Sequence, residues 1–147
     1  MFQACFCNSL RPTNCLTFII QHHERRNMPK YVDGFVLVVP KKNIKKYQKI
    51  AHKAGKIWRE HGALEYFECT GQDLKSQFGL PFPKLVKTKK DETVVFAWIV
   101  YKSRKHRDQV NKKVMADSRL NALMDPEDMP FDMKRMSYGG FDVIVEA

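Results

Sequence analysis

The sequence lacks a long apolar stretch, since charged or polar residues interrupt every hydrophobic segment of its 147 residues. A helix that crosses a bilayer needs about 20 consecutive apolar residues, so we expect no transmembrane helix and no membrane partner. The first 27 residues also lack a clear basic start, apolar block and small-residue cleavage site, the three features of a secretory signal. We therefore expect a cytoplasmic protein.

The sequence also lacks a disulfide framework. It has four cysteines, three of which fall in the first 27 residues while Cys69 stands alone, unlike the dense pattern of small secreted domains. The early cysteines and two histidines are soft metal ligands, but their spacing matches no zinc pattern. We expect no metal at these residues, which are Cys5, Cys7, Cys15, His22 and His23.

Motifs of known chemistry are missing as well. There is no nucleophile elbow, phosphate-binding loop, dinucleotide fingerprint or zinc-binding helix motif. We therefore expect no cofactor and assign no enzyme class. A cofactor-free reaction that uses His106, Asp108 or Asp117 remains open.

The bulk composition is that of a folded domain. Hydrophobic residues make up 44% and charged residues 29% of the chain, and the net charge is +10, which favours an anionic partner without determining the fold. The first 27 residues contain three Arg and one Glu, so +8 belongs to the rest. Because Met28-Pro29-Lys30-Tyr31 resembles a natural start, we expect 1–27 to be an extension outside a domain at 28–147. A transit peptide is the alternative.

Hydrophobic periodicity predicts the element order βαββαβ. Strands are expected at 31–39, 64–70, 93–101 and 141–146, and helices from Asn43 to about His61 and from Ser103 to Asp117. The first and third strands are apolar on both faces, whereas the second and fourth mix polar and apolar residues. Central strands need cover on both faces, so the pattern predicts a ferredoxin-like α+β fold with an antiparallel four-stranded sheet.

Helices cover only one face of such a sheet, and the other face still carries apolar residues. A large exposed apolar patch usually has a partner. We therefore expect a homodimeric α/β barrel in which two sheets pack face to face. The expected interface residues are Phe35, Phe96 and Trp98.

An RNA-binding domain is the alternative, because RNA-recognition domains share this element order and stack bases on aromatics of the third strand. Phe96, Trp98 and Tyr101 fit the end of that pattern. Val94 and Val95 stand where a basic residue and a glycine belong, so nucleic acid is the less favoured partner.

The second helix is the most informative place for a site. Cations crowd its first turn, where they oppose the helix dipole, and with the free backbone N–H groups they could bind a small anionic molecule. The alternative is that Arg107 pairs with a distant acid such as Asp132. His106 and Asp117 are eleven residues apart and share a helix face, so they line a pocket against the sheet or act as structural polar groups.

A second group of polar residues precedes the last strand. Asp132, Arg135 and Tyr138 approach Gly139-Gly140, and paired glycines allow a ligand-binding turn or a structural bulge. The ligand-binding residues we expect are therefore His106, Arg107, Asp117, Asp132, Arg135 and Tyr138.

Several blocks in order resemble the YbaA-like family of uncharacterised bacterial proteins (domain of unknown function 1428). They lie at 33–36, 39–40, 61–66, 95–101, 106–111, 114–117 and 131–141, and include Asp33-Gly34-Phe35-Val36 and Ser137-Tyr138-Gly139-Gly140. The resemblance implies a ferredoxin-like dimeric α/β barrel and supplies no established activity. Related dimeric barrels include cofactor-free enzymes, which is an analogy of fold alone.

Overall fold

The computed structural model describes residues 30–147, which form an antiparallel four-stranded sheet with three of the four helices on one face. The expected extension at 1–27, the start at Met28 and the early cysteines and histidines lie outside the described residues. The elements, in chain order, are β1 (Tyr31–Pro40), α1 (Ile44–Glu60), β2 (Glu65–Thr70), α2 (Phe82–Leu85), β3 (Glu92–Tyr101), α3 (Arg104–Met115), α4 (Ser118–Leu123) and β4 (Ser137–Asp142), with 3-10 turns at Lys41–Asn43 and Met133–Arg135.

The strand order is β2-β3-β1-β4. The predicted ferredoxin-like sheet is confirmed, with the two continuously apolar strands at its centre and the two mixed strands at its edges. β1 and β3 pair along their whole lengths, from Tyr31 opposite Tyr101 to Pro40 opposite Glu92. This long central pairing gives every side chain of both strands a defined face.

The two faces of the sheet differ in their cover. Alternate residues of β1 and β3 point towards the helices and form the core with residues of α1, α3 and α4. Phe96 and Trp98 lie on the open face with Phe67 of β2 and Phe141 of β4. Phe35 was expected beside Phe96 and Trp98, but it faces the helices because it pairs with Ala97, one residue out of phase with them.

The α1 helix buries one apolar stripe, which includes Tyr47, Ala51, Ala54 and Ile57. Lysines occupy much of the opposite side, as expected for an amphipathic helix that covers a sheet. The helix ends at Glu60, and Gly62 follows with a φ of +112°, which a residue with a Cβ rarely adopts. This turn delivers the chain to β2.

The α3 helix is shorter than the sequence predicted, because it ends at Met115 and not at Asp117. Ser103 caps its start as expected and accepts a hydrogen bond from the backbone N–H of His106. Asp117 leaves the helix and caps α4 through a hydrogen bond from the backbone N–H of Arg119. His106 and Asp117 are therefore not on one face of a common helix.

The last strand lies earlier than expected, at Ser137–Asp142 and not at 141–146. The glycine pair is part of the strand: Gly139 lies opposite Gly34, and Gly140 lies opposite Asp33. The ring of Tyr31 occupies the space above Gly140, where a Cβ would come within 2.8 Å of the ring carbon Cζ. Gly140 therefore allows the close approach of the Tyr31 side chain and does not form a turn.

The long connection after β2 contains the one-turn helix α2. Its Phe82 lies 6.2 Å from Phe96, measured between ring centroids, so the connection covers one end of the open sheet face. Phe78 at its tip is exposed. None of the helices among residues 30–147 has the length and apolar character needed to cross a bilayer.

Candidate functional site

A cavity of about 390 Å³ lies between the sheet and the helices. Its volume falls in the range of small-molecule sites. Five methionines line one side of it, namely Met115, Met124, Met129, Met133 and Met136. Aromatic rings form much of the remaining lining, namely those of Phe35, Tyr47, Trp58, Tyr66, Phe131 and Tyr138.

Asp33 of β1 contributes a carboxyl group to this cavity. Its exposed fraction is only 1%, which makes it the one fully buried charged residue among those described. Oδ2 accepts a hydrogen bond of 3.3 Å from Asn111 Nδ2. Oδ1 lies 3.4 Å from Arg107 Nε but has no hydrogen-bond partner among the described residues. The carboxyl group is thus held between Asn111 and Arg107, and the Oδ1 and Nε atoms of the ion pair are both buried.

Asn111 of α3 holds this carboxyl group in place. Its amide oxygen accepts hydrogen bonds from Trp58 Nε1 at 3.2 Å and from the Tyr101 hydroxyl at 3.0 Å. These two donors fix the orientation of the amide, so that its NH₂ group must point to Asp33. The network connects α1, α3, β1 and β3 at a single side chain.

Glu68 of β2 supplies a second carboxyl group. Its two oxygens accept hydrogen bonds from the hydroxyls of Tyr47 and Tyr66, at 2.6 Å and 2.7 Å. Among residues 30–147, Glu68 has no Lys, Arg or His nitrogen within salt-bridge distance. Its negative charge is thus stabilised by neutral phenols alone.

Burial dominates the electrostatics of both acids. It raises the pKa of Asp33, an effect that Asn111 and the charge of Arg107 partly offset. It also raises the pKa of Glu68, against the opposing hydrogen bonds from Tyr47 and Tyr66. Burial and the Glu68 charge raise the pKa of both phenols, which therefore stay neutral hydrogen-bond donors.

The described residues that line the cavity include two carboxyl groups and no Lys or Arg. The small anionic ligand expected from the sequence would find no counter-charge there. No group of three or more metal-ligating side chains occurs within residues 30–147. The arrangement suits a molecule with an apolar body and a group that donates a hydrogen bond to a carboxyl oxygen.

Two of the expected site residues lie near this cavity. Tyr138 lines it and stacks on Phe35 at a centroid distance of 5.1 Å. Arg107 lies behind Asp33, where its Nη2 donates a hydrogen bond to the Tyr31 hydroxyl at 3.2 Å. Arg107 pairs with Asp33 and Asp108 and not with Asp132, because α3 directs its side chain across β1.

Two others lie around the turn between α1 and β2. His106 Nδ1 accepts a hydrogen bond from the backbone N–H of Lys102, and burial together with Lys102 and Lys113 lowers the pKa of this histidine. Asp117 contacts His61 Nε2 at 2.8 Å and Arg119 Nη2 at 2.8 Å. Neither residue lines the cavity.

The remaining two serve the connection before β4. Asp132 accepts a hydrogen bond from the backbone N–H of Lys134 and so caps the 3-10 turn. Arg135 forms an ion pair with Glu92 and donates to the Lys87 carbonyl at 2.9 Å. The six expected residues are thus dispersed over three places in the fold.

Sequence reasoning missed Asp33, Asn111 and Glu68, although two signals for them are present. Asp33 has the same strand parity as the buried Tyr31 and Leu37, so alternation alone predicts a buried acid. Asn111 lies one helical turn after Arg107 and three residues before the buried Val114, on the stripe that faces the sheet. Glu68 shows no comparable signal, because β2 mixes charged and apolar residues in the way that is typical of an edge strand.

An outer groove of about 610 Å³ runs between α1 and β2. It shares four lining residues with the cavity, namely Tyr47, Ala51, Tyr66 and Glu68. Lys56 and Arg59 lie on its outer side. The Tyr47–Glu68–Tyr66 cluster is therefore the wall that separates the groove from the cavity.

Comparison with known proteins identifies the family. The model of a family described as "Protein of unknown function (DUF1428)" matches residues 30–133. The chain belongs to this family. A protein from Escherichia coli strain K12, named uncharacterized protein YbaA, is 44% identical over 117 residues, which are 80% of this chain and 98% of the relative. The YbaA protein of Shigella flexneri matches equally.

Two solved structures share the fold at low identity. A dimeric ferredoxin-like protein from an uncultured marine organism has a TM-score of 0.57 at 11% identity, over 81% of this chain and 99% of that one. A NIPSNAP family protein of unknown function from Agrobacterium tumefaciens strain C58 has a TM-score of 0.51 at 14% identity, over 79% of this chain and 89% of that one. Both comparisons support the ferredoxin-like fold of this DUF1428 family member.

Proposed function

We propose that this DUF1428 family member is a homodimer that binds a small organic molecule in the cavity between its sheet and helices. The observation that carries the proposal is the cavity of about 390 Å³, whose apolar lining also contains the carboxyl groups of Asp33 and Glu68. Sites of this size that combine an apolar lining with a few convergent polar groups are typical of small-molecule binding.

The walls of the cavity support the same conclusion. Methionine side chains adapt to the shape of a bound molecule because they are unbranched and polarizable, and the aromatic rings supply flat apolar contacts. Asp33 and Asn111 are held by a connected network, so the polar part of the site exists before a ligand arrives. A preformed site loses little entropy on binding.

A fluorescence titration with the neutral dye N-phenyl-1-naphthylamine tests the cavity. The dye has an apolar body and a single N–H donor. Ala97→Leu adds bulk at a buried residue of the lining, so we expect it to abolish dye binding while the circular dichroism spectrum stays unchanged. Ala122→Leu, at an exposed residue of α4, is the matched control. Equal binding by all three proteins would refute the cavity as the site.

The open sheet face supports the homodimer part of the proposal. Phe67 and Trp98 stack at a centroid distance of 5.0 Å, and Phe96 lies 5.4 Å from Trp98. Phe67, Phe96 and Phe141 are 46%, 43% and 59% exposed in the single chain. A similar fold is described as dimeric in the marine ferredoxin-like protein. A second copy packed face to face would cover this aromatic surface.

Light scattering across a dilution series tests the homodimer. We expect twice the chain mass for the full chain, and the mass of one chain for Phe96→Glu. Phe78→Glu, which introduces the same charge at the exposed tip of the long connection, should remain a dimer. A monomer at all concentrations would leave the aromatic face open, and RNA binding, the alternative expected from Phe96 and Trp98, would then be assayed on that face.

A further inference from the structure

The cavity carries more negative charge than its surroundings neutralise. Asp33 has Arg107 behind it, whereas Glu68 is bound only by the neutral hydroxyls of Tyr47 and Tyr66. Charged groups away from water normally have a partner of opposite sign. Within the part of the chain that the structure describes, one negative charge next to an apolar space thus has no counter-charge at salt-bridge distance.

Aromatic faces surround the same space. Six aromatic side chains line the cavity, and no Lys or Arg of residues 30–147 is among the lining residues. The negative faces of aromatic rings attract cations, and several rings around one site are typical of proteins that bind organic ammonium groups. Aromatic rings together with carboxylates therefore favour a positively charged guest.

The two carboxyl groups differ in the cations around them. Asp33 is held between Asn111, which donates to Oδ2, and Arg107, whose Nε lies 3.4 Å from the buried Oδ1. Glu68 has no such cation within salt-bridge distance in residues 30–147, and each of its oxygens accepts one hydrogen bond from a phenol. A carboxylate oxygen can accept a second hydrogen bond, so an ammonium N–H can donate to Glu68 beside the rings of Tyr47 and Tyr66.

We propose that the ligand is an organic amine in its ammonium form, with an apolar body of one or two rings, and that its nitrogen donates to the Glu68 carboxylate. The amine body contacts the methionine side of the cavity, and the ammonium group supplies the counter-charge that Glu68 lacks. This inference rests on the proposed small-molecule function of the cavity. It replaces the anionic ligand expected from the sequence with one of opposite charge.

Three compounds with one phenyl ring and different charges test the inference: 2-phenylethylamine, 2-phenylethanol and phenylacetate. Their binding to the full chain is measured by calorimetry at pH 7. We expect the amine to bind about tenfold more tightly than the alcohol, which corresponds to about 1.4 kcal/mol, and phenylacetate to bind more weakly than both. Equal or tighter binding of the alcohol or the acid would overturn the inference.

Variants identify which carboxyl group recognises the positive charge of the amine. In Glu68→Gln the amine should lose its advantage over the alcohol. Glu65→Gln is the matched control, since Glu65 lies on the same strand but points to the open face. An unchanged amine preference in Glu68→Gln would overturn the inference, and if that variant fails to fold, the series of three compounds on the unaltered chain decides.

The test of the amine can fail independently of the test of the proposed small-molecule site. Dye binding that Ala97→Leu abolishes, without any preference for the amine, would leave the small-molecule site standing and remove the amine. Absence of dye binding together with absence of amine binding would remove both.

Discussion

The ring of Tyr31 lies directly over Gly140, at the point where a Cβ would stand 2.8 Å from Cζ. The two residues belong to the paired strands β1 and β4. Gly140→Ala should therefore destabilise the protein by about 2 kcal/mol, since a methyl group has no space and the buried ring must move. The movement also breaks the hydrogen bond from Arg107 to the Tyr31 hydroxyl. Urea unfolding measures the loss.

Gly139→Ala is the control for this substitution. A Cβ at that position would be 3.2 Å from Phe141 Cζ, which belongs to an exposed side chain that can swing away. We expect a change smaller than half of that for Gly140→Ala. Similar losses for the two variants would show that the Tyr31 contact is not the cause.

Asn111→Ala should be among the most destabilising substitutions on α3. It removes the acceptor for Trp58 and Tyr101 and the donor to Asp33. Leaving several polar groups unpaired costs about 3 kcal/mol or more, although alanine is the better helix former. Asn121→Ala, at an exposed residue of α4, should change the free energy of unfolding by less than about 0.5 kcal/mol. Chemical denaturation compares the two, and equal effects would contradict the network.

Gly55→Ala should break the hydrogen bond from the Tyr66 hydroxyl to Glu68. A Cβ at position 55 would lie 2.7 Å from Tyr66 Cδ1, so the ring must leave its place on α1. Tyr66→Phe is expected to cost about 1 kcal/mol in the wild-type background, where it removes one hydrogen bond. In the Gly55→Ala background the same change should cost almost nothing. A double-mutant cycle of unfolding free energies measures the coupling, and an unchanged cost would refute the displacement.

The stability contributed by Asp117 should disappear in acid. Hydrogen bonds from Arg119 and His61 lower the pKa of Asp117 below its ordinary value of 3.8. Because the folded pKa is the lower one, the contribution is fully present above pH 3.8 and is lost as the pH falls through the folded pKa. Asp117→Asn keeps a capping side chain and removes only the charge.

Urea midpoints measured from pH 7 to pH 3 test this dependence. The difference between wild type and Asp117→Asn should be constant down to about pH 4 and then begin to shrink. Asp73→Asn, at an exposed residue of the long connection, is the control for the loss of one negative charge. A difference that grows in acid would contradict the depressed pKa of Asp117.

Much of this fold could be predicted from the sequence because its central strands are apolar at nearly every position. Val95 points to the helices and Val94 points to the open face of the sheet, and both side chains are buried. β4 was misplaced for a different reason. Its glycines resemble a turn locally, and only the contact with Tyr31, more than a hundred residues away, explains them.

The site was harder to predict than the fold. Arg107 stands out in the sequence, but most of the domain separates it from its partner Asp33. The sequence does not show which of the many acids pairs with this arginine. Asp117 was assigned to the preceding helix, although it caps the next one. Strand parity at Asp33 was the usable signal, whereas the Glu68 cluster depends on how α1 approaches β2 and has no local pattern.

In the sheet formed by residues 30–147, β2 is an edge strand and is bound by β3 on one side only. The wall of the cavity that holds Tyr66 and Glu68 therefore belongs to the strand with the fewest backbone partners, and edge elements open at lower free energy than central ones. Asp33, in contrast, lies on a strand that is paired on both sides. A guest of the proposed site would therefore exchange with solvent through fraying of β2, while the central strands that hold Asp33 stay paired.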